Sequence, residues 1–258
     1  MEIKNLSQEA LDVIDSYEHF KLGSAVCSIP YFNNRKTGAR AKLSAQIGKG
    51  SIRDIIDEVE TNLLGYRVEK ESLTDASLKE FLVKKNIGID CSGFAYYILN
   101  AECKYRNHGK LRDILHFPFS RGLLGRLRAR FRPIENIDVA TLAHDTNSRI
   151  ISIREIQQGD IITMVGGSDG GDRDHVIVIY RIESENSIPT RLHYAHAVAW
   201  PTDGEYGHGI HRGIISVINP DKPITEQSWL EQGKMGQENY TFARAQKSIS
   251  TLRRLLIL

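Results

Sequence analysis

HVIVIYRIESENSIPTRLHYAHAVAW, residues 175–200, reads as two strands joined by a turn. Val176, Val178 and Tyr180 alternate with Ile177 and Ile179, the two-residue period of a strand with two distinct faces. ENSIP supplies turn formers, and RLHYAHAVAW returns as a second β-rich run. Working outward, RIISIREI and DIITMV before this unit and GIISVI and STLRRLLIL after it have the same character. QQGD, GGSDGGDRD and NPDKP separate them. Connections this short favour antiparallel pairing, because parallel neighbours need a long crossover.

The first third has a helical period instead. Ala10, Leu11, Ile14, Tyr17 and Phe20 recur at three- and four-residue steps over 7–20. Ser51 and Asp54 form a capping box ahead of Ile52, Ile55, Ile56, Val59 and Leu63, with Gly65 as the expected stop. Residues 74–83 predict a shorter helix. Helices followed by an antiparallel sheet define an α+β chain. No repeat or linker divides it, so the expectation is one domain over 1–258: a helical N-terminal extension (1–75), a basic insertion (104–148) and a mainly antiparallel sheet (149–258).

Composition narrows the function classes. The 258 residues are 41% hydrophobic and 26% charged, which excludes a disordered or fibrous chain. A net charge of +2 announces neither a nucleic-acid nor a membrane partner. Cys27, Cys91 and Cys103 are too few and odd in number for a disulfide framework. The chain opens MEIKNLSQEALDVID without the basic and apolar regions of an export signal, and its apolar runs are far shorter than the ~18 residues of a membrane helix, so a cytoplasmic location is expected.

The chemistry concentrates in GIDCSGFAYYILN, 88–100. Asp90 is a good N-cap, which puts Cys91 in the first turn of a helix, where the terminal N–H groups favour a thiolate and can donate to an oxyanion. Asp90, Cys91 and Ser92 form that helix start, and Gly93 permits close packing beneath it. Read alone, Cys91 is equally a small buried apolar residue. A nucleophilic cysteine needs a base and the base an orienting partner. His175 opens one strand, and His193 and His196 in the next point to opposite faces, so one of those two can share a site with it.

The order DCSGF, QQGDIITM, HVIVIY, YAHA resembles the NlpC/P60 family of papain-fold cysteine peptidases and amidases, over roughly residues 88–200. The resemblance implies Cys91 as nucleophile, His175 as base, His196 as its orienting partner, and the Cys91 backbone N–H as part of an oxyanion hole. It implies a peptide or amide substrate, with peptidoglycan-derived peptides containing D-amino acids as first candidates, and no cofactor or metal. Asp174, Ile177 and Gln158 depart from the family pattern of Gly before the histidine, a small residue two after it, and Pro-Gly-Asp. Tyr31 and Tyr66 are candidates for the family's upstream substrate-binding tyrosine. An acyltransferase or transpeptidase on the same triad, and an inert binding module, are the alternatives.

Between 104 and 132, Lys104, Arg106, Lys110, Arg112, Arg121, Arg126, Arg128, Arg130 and Arg132 face one acid, Asp113. Leu123, Leu124, Leu127 and Phe131 make part of this run amphipathic, with Pro133 as the stop. A solvated basic helix covering one end of the cleft is the favoured reading over recruitment of an anionic partner; a nucleic-acid module lacks interleaved aromatics. The loop 166–174 does not follow a calcium-binding pattern and reads as a loop at the cleft mouth. His208 and His211 lack a second ligand pair for zinc, and a zinc ion on Cys91, His175 and His196 ranks below catalysis. Trp200 and Trp229 read as core or lid aromatics, Cys27 and Cys103 as buried thiols.

Overall fold

In the computed structural model, residues 1–32, 44–119, 131–166 and 174–258 are described. The helices among them are α1 (Gln8–Glu18), α2 (Ile52–Tyr66), α3 (Asp75–Lys84), α4 (Cys91–Tyr105), α5 (Leu111–Ile114), α6 (Val139–Ala143) and α7 (Tyr240–Lys247). The strands are β1 (Glu2–Asn5), β2 (Phe20–Leu22), β3 (Ala25–Cys27), β4 (Ser148–Ile150), β5 (Ile161–Val165), β6 (His175–Glu185), β7 (Ile188–Val198), β8 (Gly209–Ser216), β9 (Ser228–Glu231), β10 (Lys234–Met235) and β11 (Ile249–Leu255). The main sheet runs β10-β9-β8-β7-β6-β5-β11-β4 with every pairing antiparallel, and the chain is α+β as its patterns predict.

The strand β6 has a divided edge. Its first half pairs with β5, Met164 opposite His175, and its second half pairs with β1, Asn5 opposite Arg181. The N-terminal stretch is therefore not purely helical: it adds β1 to the sheet and folds β2 and β3 into a separate hairpin. Glu2–Asn5 is too short and polar to show a strand period. The run 149–156 also differs from its β reading, since Ile153–Glu155 turns as a 3₁₀ segment closed by a Ser152–Glu155 capping box.

The helix α2 starts where its capping box predicts, and α1 follows its apolar period. Ser7 accepts from the Ala10 N–H, and Ser51 and Asp54 satisfy each other's backbone donors. Gly65 is not the stop of α2; the left-handed residue is Arg67, at φ 56°. Thr74 caps α3 through Ser77.

The two faces of the sheet bury different cores. Ile161, Val176, Val178, Ala195, Ala197 and Ile210 pack with residues of α1 and α4, including Cys91 and Phe94. Ile162, Met164, Ile177, Ile179, Tyr194, Ile215 and Trp229 form the second core with Ala245 of α7. Tyr17 of α1 meets Phe94 of α4 edge-on, ring centres 5.5 Å apart, and its hydroxyl donates to the Gly50 carbonyl at 2.8 Å. No helix among the described residues is long and apolar enough to cross a membrane.

Candidate active site

Cys91 is the first residue of α4, and the loop before it is fixed on three sides. Ile89 bridges Tyr31 in parallel and Lys49 in antiparallel fashion, and the Asp90 N–H donates to the Gly48 carbonyl at 2.9 Å. Gly93 is required here by contact: a Cβ on it would lie 2.6 Å from the Gly48 oxygen. Its absent side chain thus brings the helix start against the Gly48 loop rather than against the sheet.

Asp90 caps α4 by accepting from the Gly93 N–H at 2.6 Å. The same oxygen receives the Lys49 ammonium at 2.9 Å and the Ser92 hydroxyl at 3.0 Å. Lys49 also donates to Ser92 Oγ at 2.6 Å and to the Ile137 carbonyl at 2.7 Å. The Ser92 hydroxyl is therefore a structural group, and Ser92 offers the site its backbone N–H. The amides of Cys91 and Ser92, at the start of α4, have no intrahelical acceptor.

The Cys91 side chain is buried, and the backbone N–H of Val176, one residue beyond His175, favours its thiolate. Burial and the Asp90 carboxylate push the thiol up to about 11, against the pull of Lys49, that N–H and Arg244. The expectation that the helix start favours a thiolate is outweighed: a helix terminus contributes ~0.3–1 kcal/mol, less than the rise above an ordinary thiol.

His175 and His196 come together as the sequence implies. His175 Nε2 lies 2.7 Å from His196 Nδ1, with the rings at 75°, and both side chains are buried. His175 Nδ1 has no hydrogen-bond partner among the described residues. No hydrogen bond joins Cys91 to this ring: Cys91 packs with Val176 and Val178 on one face of the sheet, whereas His175, paired with Met164, lies on the face of Ile177 and Ile179. Burial first, then Arg244 and the neighbouring His196 and His211, holds His175 well below the usual histidine range.

The sequence reading missed Glu231, the last residue of β9. Both of its oxygens lie 3.2 Å from His196 Nε2; one accepts from the Tyr194 hydroxyl at 2.7 Å and the other from His211 Nδ1 at 2.8 Å. Register explains the convergence, since His196 pairs with His211 across β7 and β8, and Gly213 pairs with both Tyr194 and Glu231. Gly213 leaves the room: a Cβ there would sit 2.2 Å from the Tyr194 ring. Burial alone would raise the Glu231 carboxyl, yet the two imidazoles pull it well below the usual carboxylate range. No motif signals this residue, because SWLEQG has no chemical pattern until the sheet folds.

The donors close enough to share an ion here are His196, His211 and Glu231, rather than Cys91, His175 and His196. Each already has a hydrogen-bond partner. His193 points away and pairs with Glu183 at 2.9 Å. His208 accepts from the Tyr31 N–H at 3.0 Å, away from His211. Tyr31 flanks the Cys91 loop through Ile89, whereas Tyr66 is exposed at the end of α2 beside Lys85.

Asp174 accepts from the Gly166 N–H at 3.0 Å and so closes the base of the loop before His175. Residues 167–173 of that loop, and Arg121, Arg126, Arg128 and Arg130 of the basic run, lie outside the described residues. Arg106 is not a free cation: it pairs with the buried Glu102 at 2.9 Å. Trp200 and Trp229 are core, as is Cys103; Cys27 is only half-buried. Comparison with protein-family models, with curated proteins and with solved structures returned no match.

Proposed function

We propose that the chain is a cysteine peptidase or amidase of the papain-like NlpC/P60 type, with Cys91 as nucleophile, His175 as base and His196 as orienting partner. One observation carries this reading. His175 spends Nε2 on His196 and keeps Nδ1 buried without a partner among the described residues. A buried polar atom left unpaired costs ~1–3 kcal/mol, so a ring nitrogen held that way calls for a use.

With the thiol raised and the imidazole lowered, the resting pair is neutral, and the proton moves when substrate arrives. Catalytic hydrogen bonds commonly tighten only in the complex with substrate. The Cys91 proton passes to His175 Nδ1 as the sulfur–carbon bond forms and the carbonyl oxygen becomes an oxyanion. The backbone N–H groups of Cys91 and Ser92 face that charge. The imidazolium then returns its proton to the leaving amine as the carbon–nitrogen bond breaks, leaving a thioacyl-enzyme. Water attacks the thioester, gives its proton to His175, and the departing sulfur recovers it.

The test is product analysis on a panel of peptide amides that includes cell-wall peptides with D-amino acids, with and without added amine. Release of free acid, lost in Cys91→Ser, supports a hydrolase; capture of the acyl group by added amine moves the assignment to a transferase. Retention of turnover in Cys91→Ser, or no turnover of any panel member by the wild type, overturns the proposal.

A further inference from the structure

We propose that Glu231 is the positioning residue that fixes the proton on each ring of this network, and so leaves His175 Nδ1 bare, the state in which it can take up a proton. The inference rests on the cysteine-hydrolase reading and extends it by a residue on β9, about 140 positions from Cys91 in the chain.

Proton accounting carries it. An ionised carboxylate only accepts. His196 Nε2, within 3.2 Å of both Glu231 oxygens, must therefore carry a hydrogen. The neutral ring then has a lone pair at Nδ1, which accepts from His175 Nε2–H at 2.7 Å. A neutral His175 with its hydrogen on Nε2 has a lone pair at Nδ1, the state a general base needs. The same accounting closes on the other side: His211 donates from Nδ1 to Glu231 at 2.8 Å and accepts at Nε2 from the Gln232 side-chain amide at 2.7 Å. Tyr194 donates the remaining hydrogen at 2.7 Å. One hydrogen per ring satisfies the contacts between His175, His196 and Glu231. Reversing one ring would set two donors against each other or leave two lone pairs opposed.

The opposite arrangement, a metal ion on His196, His211 and Glu231, would take His196 Nε2 as ligand, put its hydrogen on Nδ1, and drive the His175 hydrogen onto its own Nδ1. The two arrangements predict opposite states of the same ring. The charged and titratable groups that act on it are Arg244 from α7, His196 from β7 and His211 from β8; behind them Glu231 from β9 meets His196 and Tyr194, and Asp203 meets His211.

The experiment is ring ¹⁵N NMR of the full-length chain carrying Cys91→Ala, with metal analysis of the same sample. The result expected is His175 and His196 both protonated at Nε2 and bare at Nδ1, with no retained metal. A hydrogen on His175 Nδ1, or one equivalent of zinc lost in Glu231→Gln, overturns the assignment. Because this reading needs no reaction, it separates from the hydrolase proposal: an unreactive Cys91 with these tautomers would end the hydrolase and leave the role of Glu231 in setting the rings.

A second arm follows iodoacetamide alkylation of Cys91 against pH. In Glu231→Gln the plateau rate falls at least about tenfold and the acid limb moves to lower pH, because loss of the carboxylate weakens the imidazole as a base. A lower rate with the limb unmoved marks Glu231 as a merely structural residue and overturns the proposal.

Discussion

Lys49 holds the helix that carries Cys91: its ammonium lies 2.9 Å from Asp90 Oδ1, with both side chains largely withdrawn from water. The same ammonium ties the helix start to Ser92 and to the Ile137 carbonyl, so one cation joins three segments distant in sequence. Replacing Lys49 by Met keeps the stem and removes the charge, leaving Asp90 without its counter-ion and the Ser92 oxygen without its donor. The expected loss is about 3 kcal/mol in urea unfolding, the range for breaking one partner of a buried pair. Stability within about 0.5 kcal/mol of wild type would show that the ammonium is dispensable.

Gly93→Ala tests the close approach beneath the nucleophile. The added methyl meets the Gly48 backbone oxygen and the Ile89 δ-methyl, and the backbone oxygen cannot swing aside. A destabilisation of ~1–3 kcal/mol is expected from overpacking. Displacement of α4 by even ~1 Å should also lower Cys91 acylation on the order of 10²-fold. Full activity at wild-type stability would contradict this account of the helix start.

Acid should destabilise the fold in two steps. His175 and His196 are both lowered by burial, so just below ~6.5 the unfolded chain binds protons that the folded chain does not. Stability from these rings is complete above that pH and falls as pH drops, by at most about 1.4 kcal/mol per pH unit for each ring. Glu231 is also lowered and adds a second loss below ~4.3. The check is urea unfolding at pH 7.5, 6 and 5 for wild type and His196→Gln. The variant has one fewer titrating ring and should show a shallower slope; an unchanged slope assigns the acid sensitivity elsewhere.

The parts of this molecule written in short-range pattern were legible in the sequence. Ser51 and Asp90 each cap the helix their spacing announces, and β5, β6, β7, β8 and β11 follow their β-branched runs. That one histidine of the next strand would meet His175 follows from the strand pattern, and the family resemblance named it as His196. What escaped depends on contacts made only after folding. Glu231 reaches the histidines through strand register and the empty space at Gly213. Lys49 belongs to no motif, and its role shows only once its ammonium is buried against Asp90. β1 has no hydrophobic period because its residues are exposed and the backbone alone joins it to β6.

The two histidines should differ in consequence. His175→Ala removes the base and is expected to cost about 10²–10⁴-fold in acylation of Cys91. His196→Ala leaves the base in place but loose, and about 10–100-fold is expected, the usual range for a residue that orients a functional ligand. Steady-state rates on one reactive amide substrate, with melting temperatures alongside, separate these losses from unfolding. Equal effects of the two variants would contradict the assigned order.

The central claim is tested most directly by the rate at which a peptidyl acyloxymethyl ketone modifies Cys91, followed by peptide mapping in wild type and in folded His175→Ala. The account predicts selective modification of Cys91 over Cys27 and Cys103, slowed at least about 10²-fold without the imidazole. Modification of Cys91 at the same rate in both proteins would contradict it.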